Sequence, residues 1–139
     1  MRISKDKAFL LLNTVIPLLA GGGFYYVFSP EVDFVKKLDL LLGTGFHMEI
    51  ESFSSVFRLI RYYGPDMFWT YALVFALYIV LENKSATVAA VIAVCFFAGL
   101  ELLQLTSFAA GTFDPVDIAV SAAAAGAAVL VIKRYLRRK

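Results

Sequence analysis

The chain has 139 residues, of which 60% are hydrophobic and 17% charged, with a formal net charge of +2. That length fits one domain, and its apolar blocks exclude an ordinary soluble globule, which carries about 45–50% apolar and about 25% charged residues. Lys and Arg sit in short clusters beside these blocks, with no basic stripe and no interleaved aromatics, so the expected partners are membrane lipids and not nucleic acid.

Arg2, Lys5 and Lys7 precede the first apolar block, which runs over about 8–28. A helix needs about 20 mainly apolar residues to cross about 30 Å of hydrocarbon, and Pro17 is tolerable in such a helix. The basic start and Ala20-Gly21-Gly22-Gly23 also allow a cleaved signal peptide, although the block is longer than a usual signal core.

A long connection over 29–64 follows. Thirty-odd residues without structure would be unusual in so compact a chain. Ser29-Pro30-Glu31 offers an N-cap, a proline at the first helical position and an early acid. Val32, Val35, Leu38 and Leu42 recur at helical spacing, and Gly43 is a fitting stop. A second short helix is predicted from Phe53, Val56, Phe57 and Ile60, with Arg58 and Arg61 off the apolar face. Both helices are expected to be amphipathic and to lie on the outer leaflet, the alternative being a lid over the outer end of the bundle. His47, near Glu49 and Glu51, reads as a solvated loop histidine, because zinc favours several N or S ligands and the chain has one histidine. No metal and no cofactor is expected.

Three more blocks complete a four-span pattern, at about 65–81, 86–108 and 115–132. Glu82-Asn83-Lys84-Ser85 makes a tight turn between the second and third. Asp66 and Trp69 stand at the start of the second span, and Trp69 with Tyr62, Tyr63 and Tyr71 suits an interfacial aromatic belt. Cys95, the single cysteine, reads as a small buried hydrophobe. In the third span Glu101 and Gln104 are three residues apart, hence on one helix face. An acid in a span costs about 2.5–3.5 kcal/mol at the helix centre and normally faces the bundle interior. Asp114 is a fitting N-cap for the fourth span, with Pro115 at the first helical position and Asp117 on the positive end of the helix dipole. The rest of this span is small-sided, with Ser121, Ala122, Ala125 and Gly126 at small-xxx-small spacing. It is expected to be the central packing helix, and it offers a face for a homodimer.

The fold class expected is thus all-α, a polytopic bundle of four transmembrane helices with short amphipathic helices in the long outer loop. Lys84 and the cluster Lys133, Arg134, Arg137, Arg138 and Lys139 share a side with the N-terminus, so the positive-inside rule puts both termini in the cytoplasm. Asp66, Glu101, Gln104, Asp114 and Asp117 then fall in one outward-facing layer, with Arg58 and Arg61 approaching from the loop. Such a layer would attract a cation, an ammonium group or a hydroxyl-rich headgroup.

The order Glu101-x-x-Gln104, Gly111-Thr112-Phe113-Asp114, Asp117 and a small-residue helix with Gly126 resembles the VanZ-like family of small bacterial membrane proteins. The stretch Tyr63-Gly64-Pro65-Asp66 to Trp69-Thr70-Tyr71 is similar to short members of that group. The resemblance covers about 60–130. It implies a bacterial plasma-membrane protein of the cell envelope, with Glu101, Gln104, Asp114 and Asp117 as its polar signature. It further implies a link to resistance against glycopeptide antibiotics. The chain departs from the pattern where many members have an Asn after the second acid and a His near an earlier span.

Three functions stand open. One is non-enzymatic binding of a lipid headgroup, lipoglycopeptide or partner protein at the outer face. Another is an enzyme acting on a lipid-linked substrate, with Glu101 or Asp117 as acid or base. No Ser-His pair, phosphate-cradling loop or metal cage accompanies those acids. The last is a small transporter acting as a dimer.

Overall fold

A computed structural model of the chain describes residues 5–48, 55–106 and 112–137. They form five helices: α1 (Lys5–Phe28), α2 (Asp33–Leu42), α3 (Ser55–Val80), α4 (Ala86–Leu103) and α5 (Pro115–Leu136). No strand occurs among the described residues. Three helices, α1, α4 and α5, are long and apolar enough to cross a membrane. The longest, α3, has 26 residues, but Arg58, Arg61 and Asp66 in its first half lower its mean hydropathy. Leu12, Ile16 and Leu19 on α1, Val91 and Phe96 on α4 and Leu130 on α5 are all exposed. Such a surface suits hydrocarbon as solvent, where apolar side chains need no protein cover.

The contacts fix an antiparallel order. Rising numbers on α1 meet falling numbers on α3: Phe9 meets Phe75 edge-on at 6.0 Å, Tyr25 lies 5.6 Å from Trp69, and Phe28 lies 5.1 Å from Phe57. A tight turn reverses the chain into α4. Glu82 and Asn83 take left-handed φ values of 55° and 63° there, and the Asn83 N–H donates to the Tyr78 carbonyl at 2.9 Å. The Ser85 hydroxyl caps α4 by accepting from the Val88 N–H. The Asp114 carboxylate caps α5 by accepting from the Val116 N–H at 2.9 Å. Lys133 and Arg134 stand in the last turn of α5, where the helix dipole favours positive charge.

The central helix is α3, which packs on α1, α4 and α5, whereas α5 packs on α3 and α4. This corrects the expectation for α5. Phe75 and Val74 are fully buried among Ala89, Ala93, Ala125 and Ala128. Large residues on α3 thus fill the close approach that alanines on α4 and α5 allow. Ser121, Ala124, Ala125 and Ala128 form the packed face of α5, while Ala122 and Gly126 lie on its exposed face. Cys95 is also exposed, not buried. It sits with Gly126 along a shallow lateral groove between α4 and α5.

Two further expectations need correction. The predicted short helix around Val56 and Ile60 is the first part of α3, which runs on through Gly64 and Pro65. Pro65 has no N–H to donate, but neighbouring helices make such an interior proline tolerable in a membrane bundle. In the first connection, α2 starts at Asp33 with Val32 at its N-cap and no side-chain cap. The Ser29 carbonyl instead accepts from the Val32 N–H in the preceding turn. Gly43 does end α2, in the left-handed conformation with φ 63°.

Candidate functional site

The helix order sorts the polar residues into two ends. One end gathers Asp6, Tyr78, Asn83 and Tyr135. There the Tyr135 hydroxyl donates to Asp6 at 2.9 Å, and the Tyr135 ring stacks on Phe9 at 3.8 Å. The opposite end carries a layer of acids.

That layer is built on Glu101, in the last turn of α4. Its side chain is buried, at 9% exposure, and each carboxylate oxygen has a partner. Oε1 accepts from the Gln104 amide at 2.9 Å. Oε2 accepts from the Asp114 main-chain N–H at 3.2 Å. Asp114 in turn accepts from the Tyr63 hydroxyl of α3 at 3.3 Å. One hydrogen-bonded line therefore crosses α4, α5 and α3.

Asp66 and Asp117 stand beside this line, half-buried. Asp117 is under the repulsion of Asp66, Glu101 and Asp114. No hydrogen bond or ion pair engages the Asp66 or Asp117 carboxylate among the described residues. Asp66 is the twelfth of the 26 residues of α3, well inside the helix and far from its first turn. Asp66 and Thr70 are four apart on α3, and Asp117 and Ser121 are four apart on α5, so each pair shares a face. Thr70 and Ser121 are both buried, and the Thr70 hydroxyl has no hydrogen-bond partner among the described residues.

No family model, curated protein or solved structure matches this chain. The chemistry must be read from the residues themselves.

Not every expected residue joins the layer. Arg61 donates to Glu31 at 2.9 Å and lies over the Tyr62 ring at 5.7 Å. Arg58 is exposed near the start of α3. Trp69 packs towards α1, where a Cβ on Gly21 would come within 2.7 Å of the Trp69 indole nitrogen. Gly111 lies outside the described residues, as do Glu49 and Glu51. Tyr63, expected only as a belt residue, is a member of the hydrogen-bonded line. Its position seven residues before Thr70 and three before Asp66 was the available signal.

A second polar cluster was missed. Asp39 of α2 accepts from the Tyr26 hydroxyl and pairs with His47 Nε2 at 2.7 Å. His47 Nδ1 lies 3.2 Å from the Tyr26 carbonyl oxygen, and Thr44 bonds the Tyr26 hydroxyl at 2.7 Å. His47 is therefore not a solvated loop residue, since its side chain is 20% exposed. The Tyr26 hydroxyl, and next the His47 imidazole, hold the Asp39 carboxyl below the usual carboxylate range. This cluster pins α2 and the chain after it to the end of α1.

Beside the acid layer a lateral groove of about 670 Å³ runs between α1 and α5, floored by α3. Pro17, Tyr63, Met67, Tyr71, Val120 and Ala127 are on its walls. At its deep end the Tyr71 hydroxyl donates to Asn13 at 2.9 Å.

Proposed function

We propose that the chain is a four-span membrane protein of the bacterial cell envelope, with both termini cytoplasmic and a non-enzymatic role in binding a headgroup at its outer face. The ligand class is a lipid headgroup or a glycopeptide-type antibiotic. The observation that carries this reading is the pair of half-buried carboxylates, Asp66 and Asp117, that have no cation and no hydrogen-bond donor among the described residues. Carboxylates at membrane depth without partners are costly, and a ligand carrying ammonium or hydroxyl groups would supply what they lack.

A fourth crossing by α3 is supported by its antiparallel packing along α1. A chain that leaves α1 at the acid end and enters α4 at the other end must traverse the distance between. The orientation is supported by charge, because Lys84, Lys133, Arg134 and Arg137 lie at the end opposite the acids. Membership of the VanZ-like group rests on the sequence resemblance through Glu101, Gln104, Asp114 and Asp117. A catalytic role finds less support, because both Glu101 oxygens are already bonded within the protein.

The test replaces Glu101, Gln104 and Asp117 singly, checks membrane insertion, and measures sensitivity to a panel of envelope-directed antibiotics. Altered sensitivity in correctly inserted variants supports the reading. Three inserted variants that behave as wild type would sink it.

A further inference from the structure

The groove and the acid layer meet at two places. Tyr63 lines the groove and also donates its hydroxyl to Asp114. On α5, Val120 and Ala127 on the groove wall lie three and ten residues after Asp117, which keeps all three on one helix face. The groove extends on α3 from Leu59 to Tyr71. At about 1.5 Å per residue this is roughly 18 Å, and one leaflet of hydrocarbon is roughly 15 Å, half of about 30 Å.

The groove separates α1 from α5, which meet at the end of the bundle opposite the acids. Tyr135 binds Asp6 and stacks on Phe9 there, and the Tyr71–Asn13 hydrogen bond closes the deep end of the space. Its wall is apolar apart from Asn13 and the tyrosines. It opens sideways, on the flank where a lipid tail would enter. Asp66 and Asp117, which have no hydrogen-bond or ion-pair partner among the described residues, lie outside its lining, Asp66 between Leu59 and Tyr71 along α3 and Asp117 one turn before Val120 on α5.

We propose that the groove and the carboxylate layer are two halves of one site for an amphiphile with an ammonium headgroup and a hydrocarbon tail. The tail lies along α3 between α1 and α5. The ammonium group reaches Asp66 and Asp117, whose charge excludes a phosphate or carboxylate at that position. This inference rests on the headgroup-binding reading above and adds to it the charge of the head and the seat of the tail.

The test uses the full chain in nanodiscs of phosphatidylcholine, with tetradecylamine, tetradecanol and tetradecanoate as probes in an equilibrium binding assay. Saturable binding of the amine is expected, about tenfold tighter than the alcohol, as one charge-assisted hydrogen bond would provide, with the acid weakest. The double substitution Asp66→Asn with Asp117→Asn is expected to bring the amine down to the level of the alcohol. Ala127 is exposed on the groove wall, so Ala127→Trp fills the groove without entering the core, and it should abolish binding of amine and alcohol alike. Ala127→Leu serves in its place if the tryptophan variant is misfolded by circular dichroism.

Equal binding of amine and alcohol by the wild type overturns the assignment of the headgroup. Unchanged amine binding by the folded Ala127 variant overturns the assignment of the tail. A dimer that Ala127→Trp dissociates, seen by light scattering, shows the groove filled by a second copy and also overturns the proposal. Each result leaves the broader headgroup reading to stand or fall on the antibiotic panel.

Discussion

The main-chain N–H of Asp114 donates to the Glu101 carboxylate at 3.2 Å, so the residue that caps α5 is itself held by α4. The Glu101 side chain does two jobs. It accepts two hydrogen bonds, and it places a carboxylate beside Asp66 and Asp117.

Substitution can separate these jobs. Glu101→Ala leaves the Asp114 N–H and the Gln104 amide without their acceptor and should destabilise the protein by about 1–3 kcal/mol. Glu101→Gln keeps an acceptor and removes the charge. Its Tm in detergent should stay at or above the wild-type value, while Glu101→Ala falls. Equal losses in both variants would show that the charge, not the hydrogen bonding, holds this corner together.

Gly21 is required by Trp69. A Cβ at position 21 would meet the indole at 2.7 and 2.8 Å and the Phe68 Cβ at 3.1 Å. Gly21→Ala should therefore cost about 1–3 kcal/mol, as overpacking does. Combining it with Trp69→Ala should restore much of that loss, because the clashing ring is gone. Thermal unfolding of the two single variants and the double variant gives the coupling directly.

The orientation has a direct chemical test. In a Cys95→Ala background, Thr112→Cys places a thiol at the acid end, and Lys84→Cys places one at the opposite end. A membrane-impermeant maleimide added to intact cells should label the first and spare the second. The reverse pattern would invert the proposed orientation.

The Tyr26–Asp39–His47 cluster predicts how the hold on α2 depends on pH. The Asp39 pKa is depressed in the folded state, so its contribution to stability is present above the ordinary aspartate value of about 3.9. That contribution is lost as pH falls through the lower folded value. At neutral pH, Asp39→Asn should speed hydrogen exchange of the α2 amides relative to wild type. Well below pH 3.9 the two proteins should exchange alike, apart from the intrinsic pH effect. A difference that persists in acid would show that the carboxylate charge is not what fixes α2.

Much of this was legible in the sequence because it depends on local chemistry. Ser85 and Asp114 cap their helices, Gly43 stops α2, and the Glu82–Asn83 turn reverses the chain, each through contacts within a few residues. The convergence of Glu101, Gln104 and Asp114 followed from helix order alone. Other features depend on partners distant in sequence. Gly64-Pro65-Asp66 has the composition of a helix start, yet packing carries α3 straight through it. Asp39 and His47 meet through a loop whose course no periodicity describes. Cys95 and the Ala122–Gly126 face were misplaced for a different reason. In a helix surrounded by hydrocarbon, apolar character does not distinguish the inner face from the outer.

The tie between Asp6 and Tyr135 joins residues 129 positions apart. During synthesis α1 emerges well before α5, and Asp6 must wait for Tyr135 until α5 has been made. The other contacts of α1, with α3, become available much earlier. The bundle therefore acquires this seam only once α5 has emerged. A ribosome stalled within α5 would leave a protein complete along one flank of α1 and open along the other.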